Sequence, residues 1–278
     1  MKNVVVVKNV SIKYKIGDLR NTSFKQYFIQ KIKGTYEVRD FWANKDISFS
    51  LDSGDLLGII GSNGSGKSTL LTAVAGVMEP SEGQIVTQGK IAAILELSAG
   101  FDEELNAKEN IFLRGAMLGY SEEFIKSKCD SIIEFAELQD FVDMPIKQFS
   151  TGMRSRLAFA VACLVNPDIL IIDEVLAVGD NAFRKKSFDK MKEILKSGIT
   201  GILVSHSTQT LRKLCNKILW LDHGRVVAFS EDVDTIINAY EEFSLTHVVP
   251  KDNKELIKMS NSFKKKLKTL KKVFDTYE

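Results

Sequence analysis

The run Gly61-Ser62-Asn63-Gly64-Ser65-Gly66-Lys67-Ser68-Thr69 constrains this chain more than any other stretch. It sits between the apolar segment Leu56-Leu57-Gly58-Ile59-Ile60 and a helix-like stretch opening at Leu70-Leu71. Strand, glycine-rich loop and helix in that order form a phosphate-binding loop. The glycines let the backbone wind tightly enough for its N–H groups to face a polyphosphate. The helix that follows adds its positive N-terminal end. Lys67 supplies a point charge for the β- and γ-phosphates, and Ser68 a hydroxyl for Mg²⁺. A loop that only turned the chain would not need all of these residue types in this setting.

The remaining composition excludes several classes. Net charge is only +2, so nothing points to bulk binding of nucleic acid. Apolar residues make up 44%, enough for a packed core. Cys129, Cys163 and Cys215 are far apart and lack CxxC spacing, which argues against a metal site or disulfide framework and fits a reducing cytosol. Cys163 lies in an apolar helical stretch and reads as core. No apolar run approaches the ~18 residues of a membrane span. Met1-Lys2-Asn3 before Val4-Val5-Val6-Val7 is too short for a secretion signal. The expectation is a cytosolic chain, or one held at a membrane by another protein.

Along the chain, strands are expected at 4–8, 47–51 and 56–60. Between the first two lies an irregular segment, 15–45, with Phe24, Tyr27, Phe28 and Ile32 at helical spacing beside Lys25, Lys31 and Lys33. A β-hairpin is expected around Ile85-Val86 and Ile91-Ala92, turning at Gln88-Gly89. Helical periodicity then dominates to residue 166, as in Phe124, Ile125, Cys129, Ile132, Ile133 and Ala136. Ile169-Leu170-Ile171-Ile172 and Gly201-Ile202-Leu203-Val204-Ser205 read as buried parallel strands. Asp222-His223-Gly224 reads as a hairpin turn. The expected organisation is a core of residues 1–95 and 167–240 with the insertion 15–45. A helical subdomain spans 96–166 and a basic amphipathic tail 241–278. The fold class is α/β, a mostly parallel sheet with an antiparallel β-subdomain and inserted helices.

Three apolar strands end in polar chemistry: Ile60 in the loop, Ile172 in Asp173-Glu174, and Ser205 in His206. In a parallel α/β sheet, ligands bind at the carboxyl ends of the strands, so these groups share one edge. Asp173 suits Mg²⁺ through water. Glu174, one residue further out, can polarise a water for in-line attack. His206 can hydrogen-bond the γ-phosphate or that water. Elsewhere, Phe149-Ser150-Thr151-Gly152-Met153-Arg154 opens an alanine-rich helix, with Ser150 as N-cap and Gly152 allowing close approach of an anion. That loop belongs to the helical subdomain, away from the chain's own phosphate loop. A second anion site there suggests a partner's nucleotide.

Together these segments resemble the ATP-binding subunits of ABC transporters over about residues 4–240. The order of phosphate loop (Walker A type), helical subdomain, signature loop, Walker B type strand and switch histidine is the same. Phe41-Trp42-Ala43, the stretch from Leu95 to Phe101, and the stretch from Asp173 to Asp180 are similar to the polysaccharide exporters of that family. The resemblance implies ATP and Mg²⁺ as cofactors, with Lys67, Glu174 and His206 catalytic. It makes Ser150, Thr151, Gly152 and Met153 a signature acting in trans and places Asp180 in a dimer loop. Tyr14 is placed like the aromatic that stacks on adenine, with Phe41 or Trp42 as alternatives. Glu96 stands where most members have a glutamine that touches Mg²⁺, as in the polysaccharide-export pattern. Asn106 to Asn110 departs from the usual Gly-Arg-Glu-Asn. The implied partners are a second copy, paired head to tail, and a separate transmembrane permease, in two copies, carrying a lipid-linked glycan (O-antigen, teichoic acid or capsule type). The implied location is the cytoplasmic face of the membrane.

Segment 15–45 reads either as a membrane- or permease-facing element or as an insertion packed on the β-sheet. The tail, with Leu256, Met259, Phe263, Leu267, Leu270, Phe274 and Tyr277 at spacings of three and four, reads either as packed on the cassette or fraying as a solvated tail, or as a pairing or lipid-facing helix. The residues after 240 are too few for a sugar-binding β-sandwich. The alternatives are another cargo, such as a drug or lipid, or a soluble ABC protein without transport.

Overall fold

A computed structural model describes residues 3–16, 39–94, 101–173, 180–205 and 207–274, with side chains up to 269. Two sheets organise it. Strands β1 (Asn3–Ile16), β2 (Arg39–Asp52) and β4 (Glu82–Thr87) form an antiparallel sheet in the order β2-β1-β4. The larger sheet runs β5-β6-β7-β3-β8-β9. Its members are β3 (Leu56–Ile60), β5 (Ile91–Ile94), β6 (Ile169–Asp173), β7 (Thr200–Val204), β8 (Lys217–Asp222) and β9 (Arg225–Ser230). The first five of that order are parallel, and β9 is an antiparallel edge paired with β8.

Alternation explains the small sheet. Val5, Val7, Val10 and Ile12 of β1, with Ile47, Phe49 and Leu51 of β2, turn inward. They meet the big sheet through Leu57, Ile59, Ile171, Ile202 and Leu219 and close over helix α1 (Lys67–Val74). The other face of the big sheet is covered by α4 (Thr151–Leu164), α5 (Asn181–Lys196), the short α6 (Thr208–Leu214) and α7 (Val233–Thr246). Buried parallel strands face apolar layers on both sides, which is why their sequences are continuous apolar runs.

A third core belongs to helices α2 (Ala107–Met117), α3 (Glu122–Ala136) and α4, through Ile111, Ile125, Ile132, Leu157 and Val161. Helix α4 serves two cores. Phe159, Ala162 and Cys163 face the sheet, whereas Leu157, Ala160 and Val161 face the other helices. It is therefore apolar around most of its circumference. Asn106 begins α2 with a reciprocal capping box to Glu109.

Three sequence expectations need correction. The hairpin at Gln88-Gly89 does not exist: β4 pairs with β1, and β5 pairs in parallel with β6. Lys90 donates its N–H to Asp168 Oδ2 at 2.7 Å, and its carbonyl accepts from Asp168 and Ile169, which fastens β5 to the start of β6. The irregular segment 15–45 is shorter, because β1 runs to Ile16 and β2 starts at Arg39. The rest of it, with Phe24, Tyr27, Phe28 and Ile32, lies outside the described residues. Finally, no boundary falls at 240/241, since α7 runs through it. Helix α8 (Asn253–Phe274) packs back on α7. Leu256 and Met259 join the core beneath the sheet, and Lys266 reaches the buried Glu242 carboxylate at 2.7 and 2.9 Å.

Candidate nucleotide site

Strand β3 delivers the loop 61–66 to the carboxyl end of the big sheet, beside the end of β7 and one strand away from the end of β6. Gly61, Gly64 and Gly66 all take positive φ. At Gly66 (φ 94°) the left-handed turn starts α1 with no side-chain cap, so the first N–H groups of that helix lack a side-chain partner. Lys67 folds back over the loop. Its ammonium donates to the carbonyls of Gly61 (2.9 Å) and Ser62 (2.8 Å). Burial lowers the pKa of Lys67, while the charge of Asp173 acts to raise it. The Ser68 hydroxyl donates to Asp173 Oδ2 at 2.8 Å, joining two sites that lie 105 residues apart in sequence.

These groups line a cavity of 330 Å³. Asn63, Gly64, Gly66, Lys67, Ser68, Thr69 and Asp173 contribute to its wall, and Tyr14 and Phe41 are also there. Tyr14 and Phe41 are cross-strand partners on β1 and β2. Trp42 is not in the wall; Lys13 and Lys45 lie over its ring instead. Ser62 faces away, toward Asp222 at 3.4 Å, and Ser65 is buried. Oxygen ligands from Ser68 and Asp173 have the chemistry Mg²⁺ requires. Among the described residues, no cluster of three His, Cys, Asp or Glu offers a different metal site. Glu96, Glu174, His206 and the stretch 177–179 lie outside the described residues.

Ser150 caps α4 by accepting the Met153 N–H. Ser150, Thr151, Gly152 and Met153 line a second cavity, of 480 Å³, with Arg156 and Asp180 among its other walls. No lining residue is common to the two cavities. Asp180 caps α5 by accepting from Ala182 and Phe183 through Oδ1 and accepts from Arg156 through Oδ2 at 2.5 Å. The Phe183 N–H, aided by Arg156 and Ala182, holds its carboxyl below the usual range against the opposing effect of desolvation. Arg156 also donates to Glu137, which pairs with Lys186. Sequence reasoning missed Arg156 and Glu137, because their partners lie on different helices. It also missed Asn44, whose inward place on β2 was the available signal.

The ABC transporter family profile matches residues 44–177. An O-antigen export system ATP-binding protein, RfbB of Klebsiella pneumoniae, is 41% identical over 213 residues, which cover 77% of this chain and 85% of that protein. This chain belongs to the ABC transporter family. Another ABC relative, the teichoic acids export ATP-binding protein TagH of Bacillus anthracis, is 40% identical over 243 residues. The match covers 87% of this chain but only 43% of that protein. A solved ATP-binding subunit of an ABC transporter superposes with a TM-score of 0.64 at 22% identity, covering 93% of this chain and 99% of that one. A cassette solved as a post-hydrolysis dimer with ADP and Pi also gives 0.64, at 23% identity, covering 81% of this chain and 97% of that one. At those identities the likeness is one of fold. It agrees with the ABC-type α/β architecture expected from the sequence.

Proposed function

We propose that this chain is the ATP-hydrolysing subunit of an ABC exporter that drives a lipid-linked polysaccharide of O-antigen, teichoic acid or capsule type across the cytoplasmic membrane. The observation that carries the reading is the meeting of Ser68, Asp173 and the loop-bound Lys67 at the floor of one cavity that also holds Tyr14 and Phe41. Adenine stacks against the ring pair, and the phosphates lie along the loop amides and Lys67. Mg²⁺, held by the Ser68 hydroxyl and by Asp173 through water, would draw negative charge off the phosphates. Glu174 takes a proton from the attacking water, and His206 orients the terminal phosphate.

The loop from Ser150 to Met153 opens on its own cavity, so its phosphate comes from a second copy. Two chains then pair head to tail, each ATP lying between Lys67 and Ser68 of one and Ser150 and Gly152 of the other. ATP binds the closed pair more tightly than the open one, and that difference drives closure. Asp180, beside Arg156, lies along the seam. Among the described residues no helix is long and apolar enough to cross a membrane. Export therefore needs a separate permease, taken here as two copies, with this chain at the cytoplasmic face. The glycan class rests on the names of the relatives and on the similarity of the Phe41 and Asp173–Asp180 segments.

The test is a strain lacking this chain. Lipid-linked glycan should accumulate inside the cell and be released to the surface by wild-type chain but not by Lys67→Ala. Normal surface glycan in that strain would remove the cargo assignment. Purified wild-type chain without MgATP turnover would remove the enzymatic one.

A further inference from the structure

We infer that Asn44 is a positioning residue for the phosphate loop: its side-chain amide holds the Gly66 carbonyl so that the Lys67 N–H faces the nucleotide. Asn44 lies on β2, fully buried, and is absent from the wall of the cavity. Its Nδ2 donates to the Gly66 oxygen at 3.2 Å. The same oxygen accepts the Leu70 N–H at 2.9 Å, the first bond of α1. Both of its lone pairs are thereby engaged. In a trans peptide the C=O and the following N–H point in opposite directions. A carbonyl held toward β2 therefore turns the Lys67 N–H away from β2, to the side where Gly66 and Lys67 line the cavity.

The fit explains the glycine. A Cβ on Gly66 would stand 2.4 Å from both the Ala43 oxygen and Asn44 Nδ2. The loop is pressed directly onto β2, with no room for a side chain between them. A second path reinforces the first. The Lys45 N–H donates to Gly224 at 2.8 Å, and the Gly224 N–H donates to Ser65 at 3.1 Å. Residues 43–45 thus brace the loop both directly and through the β8–β9 turn.

The other half of the amide shows which half is used. Asn44 Oδ1 is buried without a hydrogen-bond partner among the described residues. An unpaired buried acceptor destabilises the fold, a cost that an apolar residue of similar size would avoid. Asn44 therefore serves the loop at some expense to the fold.

This inference rests on reading the loop as a nucleotide site, and its test separates the two. MgADP affinity is measured by titration calorimetry on full-length wild-type, Asn44→Leu and Asn44→Ala chains, alongside nucleotide-free melting. The Leu chain should melt no lower than wild type yet bind MgADP about 3- to 10-fold more weakly. The Ala chain should also bind more weakly, whatever its melting temperature. If both variants bind within twofold of wild type, the inference is overturned. It is also overturned if weaker binding comes only with a matching loss of nucleotide-free stability in both. A wild-type chain that does not bind MgADP removes the nucleotide reading, and this inference with it.

Discussion

Lys67 shows what a single side chain contributes here. Its ammonium donates to the carbonyls of Gly61 and Ser62, and burial holds its pKa below the ordinary lysine value, against the raising effect of the Asp173 charge. A polyphosphate beside it favours the charged form and raises that pKa again. Binding should therefore take up protons at alkaline pH, where the free chain has lost part of that charge. Calorimetry in buffers of different ionisation enthalpy reads the uptake directly. Lys67→Ala should abolish it and weaken MgADP binding roughly 10- to 100-fold. Glu174→Gln should leave MgATP binding intact while turnover falls on the order of 10²–10⁴-fold, and closed pairs should persist on size exclusion. Undiminished turnover in that variant would relieve Glu174 of the role of base. Lys67, Ser68 and Asp173 were legible in the sequence because each is fixed by its place after an apolar strand. Asn44 was not, because its partner lies 22 residues away and only the docking of β2 on the loop brings them together.

At the level of elements, local pattern identified most strands and helices but not which neighbours they choose. Strands β4 and β5 both look like arms of one hairpin, and the parallel ladder from Ile91–Ile169 to Ile94–Ile172, opened by the Lys90–Asp168 bonds, assigns β5 to β6. Short apolar runs fit either sheet equally well, so the decision lies in contacts about 80 residues distant. Asp55 is a comparable fastener at the same amino-terminal edge of the big sheet, where β3 and β8 begin. It accepts from the Asp52 N–H, from Asn216, and from Lys217 at 2.8 Å. Burial acts to raise its pKa, but the Lys217 hydrogen bond and charge, with the other two donors, carry it below 3.8. Its contribution to stability is therefore complete above pH 3.8 and is lost as pH falls through the lower, folded-state value. Asp55→Asn should lower Tm by roughly 3–10 °C at pH 7. The difference from wild type should shrink once melts are run below pH 3.8. A difference independent of pH would show that the charge of Asp55 is not what matters.

For the whole molecule, the two separate cavities set the test of the proposed pairing of two copies. Mixing Lys67→Ala with Ser150→Arg chains should recover ATP-dependent pairing through dimers that keep one intact composite site. Neither variant should pair this way alone. If the mixture stays as inert as its components, the shared site is ruled out. The α/β architecture and the position of the loop were readable from the order of apolar strands. The packing of α8 against α7 was not, since a lysine-rich amphipathic helix reads equally well as a free tail. Arg156 has a mechanical consequence. Its guanidinium joins Glu137, just past the end of α3, to Asp180, which caps α5. Helix α3 packs among the helices and α5 against the sheet. Tilting the one against the other must stretch or break that double clasp.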